Sequence, residues 1–139
     1  MTENVAARKV AVIVRCIGRA REEYSQAGQA FKDDFTHQDA AVLNITRACE
    51  AAIDLANMLV RKKRLGVPAD ARESFALLQR DGLIPRELAA RLQRMVGFRN
   101  IAVHQYQDLD LAIVESVIRS DLDELLRFAE LVREHLLDA

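Results

Sequence analysis

A chain of 139 residues has the length of one ordinary domain, and with 50% hydrophobic residues it carries enough apolar side chain for a continuous core. Its net charge of −1 excludes a protein that holds a polyanion through its overall field, so any nucleic acid would have to be gripped by a local cluster of cations. There is no Trp, and Gly (5) and Pro (2) are scarce, so the core must be mainly aliphatic and the elements few and long; this favours a single all-α domain over residues 1–139.

The chain opens Met1-Thr2-Glu3-Asn4, with no basic stretch leading into an apolar run, and a cytoplasmic protein without a leader is expected. No apolar stretch approaches the ~18 residues of a membrane span, so no membrane partner is expected. Val10, Ile13, Val14, Ile17, Ala20 and Tyr24 recur at helical spacing and predict a first helix over about Val5 to Ala27, with Gly28 near its end. After the charged loop Phe31-Lys32-Asp33-Asp34-Phe35, Thr36 is the expected N-cap, with Asp39 three residues on in a capping-box position.

A second helix is predicted from about His37 to Arg64, with Ala41, Ile45, Ala48, Cys49, Ala52, Ala56 and Leu59 along one face. Its cationic end Arg61-Lys62-Lys63-Arg64 suits a helix C-terminus, and Gly66 followed by Pro68 is a stop signal. Pro68 and Asp70 open a short third helix, about Ala71 to Arg80, closed by Asp81-Gly82. Pro85 opens a fourth helix, whose stripe is Leu88, Leu92, Met95, Val96 and Val103. A fifth starts near Asp108 to Asp110 and runs to Leu137. Leu111, Val114, Ile118, Leu122, Leu125, Ala129, Val132 and Leu136 line one side, and Ile113, Val117, Phe128 and Leu131 widen it. So wide a stripe fits either a deeply buried helix or a second contact surface. Cys16 and Cys49 lie within these apolar periods, away from any Cys/His metal spacing, and read as buried free thiols; no metal and no cofactor are expected.

The chemistry concentrates in Phe98-Arg99-Asn100-Ile101-Ala102-Val103-His104-Gln105-Tyr106. Arg99 is a permanent cation whose planar donor fork matches phosphate, and His104 is a side chain that exchanges protons near neutral pH. In RNA the 2′-hydroxyl is an internal nucleophile, so cleavage needs a base, a cation for the charged phosphorane and an acid for the leaving 5′-oxygen, all of which Arg and His supply without a metal. On a helix Asn100 and His104 lie within ~40° of one another, so the amide is placed to hydrogen-bond the imidazole. Arg99 and His104 point ~140° apart. Either the helix unwinds before His104, or a second copy of the chain completes the site, with two Arg99 and two His104 meeting in one cleft. Tyr106 is expected just past the helix end, where it also reads as a half-buried anchor for the loop. Taken singly, each of these residues is more often a cap, an ion-pair member or a satisfied polar group.

The segment Met95-Val96-Gly97-Phe98-Arg99-Asn100-Ile101-Ala102-Val103-His104-Gln105-Tyr106 resembles the signature of the HEPN superfamily, and more narrowly of the HepT-like toxins: Arg, four residues, His, one residue, Tyr. Arg99, His104 and Tyr106 meet it in full, with Asn100 as the usual polar residue after the Arg. The run Asn44 to Asn57 and Glu73-Ser74-Phe75-Ala76-Leu77-Leu78 are also similar to that family, so the resemblance covers most of the chain. It implies an antiparallel helical bundle of about five helices, forming a homodimer whose cleft holds both motifs. It implies metal-independent endoribonuclease activity, toxic to the host cell, with RNA rather than DNA as partner. It also implies a small nucleotidyltransferase (MNT-type) antitoxin encoded alongside, able to silence the toxin by transferring AMP to Tyr106.

Arg8, Arg15 and Arg19 share one side of the first helix, and Arg15 and Arg19 are the candidate supporting RNA contacts; Arg61 to Arg64 form a second cationic cluster. A solvated face, diluted by Glu22 and Glu23, explains the first cluster equally, and an ordinary helix terminus the second. Asp54 and Asn57 fit either a cleft-facing support or simple surface exposure. Two further readings compete with the nuclease: a non-catalytic nucleotide- or partner-binding module of a nucleotidyltransferase complex, and a structural helical dimer with the motif as an interface clasp.

Overall fold

Helix ends, more than helix interiors, decide where this chain turns. In the computed structural model, which describes residues 2–136 and the side chains of 4–136, α1 (Thr2–Ala27) gives way to a 3-10 turn at Gly28–Asp33 that buries Phe31. Asp34 then caps α2 (Phe35–Lys62). Its extended backbone (φ −107°, ψ 91°) lets one carboxylate oxygen accept from the His37 backbone N–H at 3.0 Å, while the other lies 2.7 Å from His37 Nδ1. The cap is therefore Asp34 and not Thr36. Either side chain is a good N-cap, but the acid also holds the His37 ring, and the helix starts earlier than expected. Asp39 closes no capping box.

Two helices end in the same six-residue hydrogen-bond pattern with different residues at its left-handed position. After α2, Leu65 N–H donates to Val60 C=O and Arg64 N–H to Arg61 C=O, with Arg64 at φ +54°. After α3 (Ala71–Arg80), Leu83 N–H donates to Leu78 C=O and Gly82 N–H to Gln79 C=O, with Gly82 at φ +77°. Glycine meets that geometry without a Cβ clash; Arg64 does not. Asp70 caps α3 through the Glu73 backbone N–H at 2.9 Å. Pro85 stands immediately before α4 (Arg86–His104), and its carbonyl accepts from Ala89 N–H. A 3-10 turn, Tyr106–Asp108, leads to α5 (Leu111–Ser116), capped by Asp110. The expected single last helix is interrupted: a π turn, Val117–Asp121, joins α5 to α6 (Leu122–Leu136). The described residues contain no strand, and no helix among them is long and apolar enough to cross a membrane.

α2 is the central rod. It runs antiparallel to α1, with Lys9–Asp54 (2.8 Å) bridging one end and Glu23–His37 (3.5 Å) the other, and it packs also on α3, α4 and α6. Its buried Ala41, Ala48, Ala51, Ala52 and Ala56 let neighbouring helices approach closely, while Ile45, Leu55 and Leu59 fill between them. Arg127–Glu87 and Arg91–Glu124 strap α6 antiparallel to α4. The widened stripe of the last helix is mostly core: Val117 and Phe128 are buried, whereas Ile113 is half exposed.

Two expected core residues lie outside it. Val14 is 52% exposed because it sits ~90° from the centre of the buried stripe of α1. Val103 is 50% exposed although it follows Val96 by two turns on the same side. The last turn of α4 keeps Ala102 against the core but leaves Ile101, Val103 and His104 exposed, so the end of the motif lies at an open end of the bundle.

Candidate active site at the end of α4

Arg99 and His104 are both on α4, and the helix stays intact to His104, its final residue. The unwinding that would bring them together in one chain does not occur. Arg99 is partly buried, and its charge is near enough to Cys49 of α2 to act on that thiol. Burial pushes the Cys49 thiol up to about 12, and the Arg99 charge opposes this only in part. Among the described residues, Arg99 Nε is buried and has no hydrogen-bond partner. A buried donor left unpaired costs about 1–3 kcal/mol, so this guanidinium is held where an incoming acceptor would be favourable. His104 is exposed. Asn100 is partly buried one turn before it, but the expected amide–imidazole hydrogen bond is not formed among the described residues.

Gln105, at φ −142° and ψ 48°, breaks the helix and hands Tyr106 to the following 3-10 turn. Tyr106 is 44% exposed, and its hydroxyl donates to the Asp39 carboxylate of α2. Burial, together with that hydrogen bond and the Asp39 charge, pushes the phenol up to about 12. Sequence reasoning missed Asp39 as part of this group. The two residues stand 67 positions apart, and nothing local marks Asp39 beyond its being an acid in the first turns of a helix.

The other candidates disperse. Arg15 is exposed on α1, and Arg19, also exposed, has Glu23 at 3.7 Å, which partly neutralises it. Asp54 pairs with Lys9, and Asn57 accepts from the hydroxyl of buried Ser74 at 2.5 Å, so both brace the bundle rather than the motif. Of the basic run ending α2, Lys62 donates to the His135 carbonyl. Among the described residues no three His, Cys, Asp or Glu side chains come together as metal ligands.

An all-helical bundle that presents Arg-x4-His-x-Tyr at the open end of one helix defines a HEPN-class protein. The profile described as "Ribonuclease HepT-like" matches residues 13–132, and the chain belongs to that family. It is 44% identical over 130 residues to the mRNA nuclease HepT of Shewanella oneidensis, covering 94% of this chain and 97% of that protein. Two solved structures share the fold closely. One is a toxin–antitoxin complex with AMP-PNP (TM-score 0.89, 43% identity, 94% of this chain and 98% of that one). The other is a tri-AMPylated Shewanella oneidensis HEPN toxin in complex with MNT antitoxin (TM-score 0.88, 44% identity, 94% and 97%).

Proposed function

We propose that this chain is the ribonuclease toxin of a toxin–antitoxin pair, and that it cuts RNA in a cleft between two copies of itself. The observation that carries the reading is the arrangement of the motif. Arg99 holds a buried, unpartnered donor, His104 projects into solvent from the other side of the same unbroken helix, and both lie at an open end of the bundle. Within one chain the two side chains point ~140° apart, so a second copy supplies what the first lacks. The apolar groups around the motif support such a pairing. Ile101, Val103 and Tyr106 at the end of α4 are exposed, as are Phe35 and Leu43, which flank Asp39 on one side of α2.

In the cleft the Arg99 guanidinium binds the scissile phosphate and stabilises the negative charge that builds on the phosphorane. One His104 takes the proton of the 2′-hydroxyl, which attacks the adjacent phosphorus. The other His104 protonates the departing 5′-oxygen, leaving a 2′,3′-cyclic phosphate. Asn100 lines the approach to His104. Silencing follows from charge: AMP transferred to Tyr106 by a nucleotidyltransferase antitoxin places an anion where the RNA phosphate must sit.

The test is alanine substitution followed by cleavage and growth assays. Arg99→Ala is expected to lower cleavage by about 10²–10³-fold and His104→Ala by about 10²–10⁴-fold, each with helicity retained and toxicity lost. Cleavage that persists in the double variant contradicts the reading. Nucleotide binding by the isolated chain, with growth unaffected on its overproduction, would favour the non-catalytic module instead.

A further inference from the structure

The hydroxyl of Tyr106 touches a single acid among the described residues, and it does so across the fold. The phenol belongs to the 3-10 turn after α4, the carboxylate to the second turn of α2, and the O–H donates directly to the carboxylate. Both side chains are exposed, so this contact does not form the core. Asp39 is not used by the cap of α2, which Asp34 supplies, and it forms no ion pair with a Lys, Arg or His side chain among the described residues. Its evident structural work is to hold one phenol in one orientation at the mouth of the site.

We propose that Asp39 is the proton acceptor that activates Tyr106 for transfer of a nucleotidyl group. This rests on the reading of Tyr106 as the AMP acceptor. A phenol that keeps its proton is a poor nucleophile. Here burial and the neighbouring carboxylate both favour the protonated phenol, so a free phenolate is scarce at neutral pH. The proton must therefore leave as the new bond forms, and the group already holding it by hydrogen bond is the Asp39 carboxylate.

The step balances. Tyr106 Oη bonds to the α-phosphorus of ATP, the bond from that phosphorus to the bridging oxygen of the β-phosphate breaks, pyrophosphate leaves, and the phenolic proton passes to Asp39 and then to solvent. The product loses the donor that tied Tyr106 to Asp39 and gains a phosphodiester anion beside that carboxylate. Repulsion between the two drives the modified tyrosine away from α2 and towards the cations of the motif.

The experiment compares wild type, Asp39→Asn and Asp39→Ala as substrates of the MNT antitoxin from the Shewanella oneidensis complex, with α-labelled ATP and mass mapping of the modified residue. The Asn amide oxygen still accepts from the phenol but is no effective base, so it separates orientation from proton transfer. The expected result is label on Tyr106 of the wild type, and a fall of about 10²-fold or more in kcat for both variants at unchanged KM for ATP, with helix content unaltered and both variants folded at the assay temperature. Label on wild type and both variants at equal rates overturns the role of Asp39 and leaves the AMP reading standing. No label on wild-type Tyr106 overturns the AMP reading and this proposal together. A fall in the Ala variant alone reduces Asp39 to a positioning residue and also overturns the proposal.

Discussion

Arg99 and Tyr106 show how single side chains are prepared at opposite ends of one short motif. Arg99 is partly buried near Cys49 of α2 with its Nε unpaired among the described residues, an arrangement that favours binding over stability. Tyr106 is exposed yet tethered, and its phenol is pushed up to about 12 by burial first and by Asp39 second. A phenol near 10 in the unfolded chain and near 12 in the folded one stabilises the fold fully below about pH 10, and that contribution is lost as pH climbs from 10 to 12. The chain has two tyrosines, so ultraviolet titration of a Tyr24→Phe variant follows Tyr106 alone. Its phenolate is expected to appear near pH 12, moving back towards 10 when Asp39 is also changed to Asn. A midpoint that does not respond to Asp39 would show that the hydrogen bond has no electrostatic weight.

At the scale of the element, the capping residues carry the account. The short helix α3 was legible to the residue because Asp70 and Gly82 mark its two ends unambiguously. The start of α2 was not, because Asp34 and Thr36 are both competent caps two residues apart, and only the contact with the His37 ring decides between them. The π turn at Val117–Asp121 left no trace in a sequence whose apolar positions continue through it. The left-handed Arg64 yields a direct test. Arg64→Gly removes a Cβ from a position where Gly82 already serves the equivalent role, and is expected to stabilise by about 0.5–1 kcal/mol, raising the melting temperature by a few degrees. An unchanged or lower melting temperature would show that the Arg64 backbone is not strained.

For the whole molecule, helical periodicity and the scarcity of turn residues were enough to read an all-α bundle, because burial in such a fold follows the 3.6-residue repeat. The opposed directions of Arg99 and His104 were readable for the same reason. Asp39 beside Tyr106 was not, since a contact between residues 67 apart depends on how α2 and α4 pack rather than on any local pattern. Val103 was misplaced because periodicity reports the side of a helix and not where the bundle ends. That end, with a partly buried cation and an exposed imidazole ~140° apart on one helix, is what the proposed pairing of two copies would complete.

The most direct test mixes active and inactive subunits. Wild-type chains and chains carrying both Arg99→Ala and His104→Ala are co-refolded, and mixed dimers are isolated and verified by native mass spectrometry. A shared cleft that takes its base from one copy's His104 and its acid from the other's predicts that the mixed dimers cleave RNA about 10²-fold or more below the wild-type dimer. Mixed dimers that keep one working subunit's share of the wild-type cleavage would contradict the shared cleft.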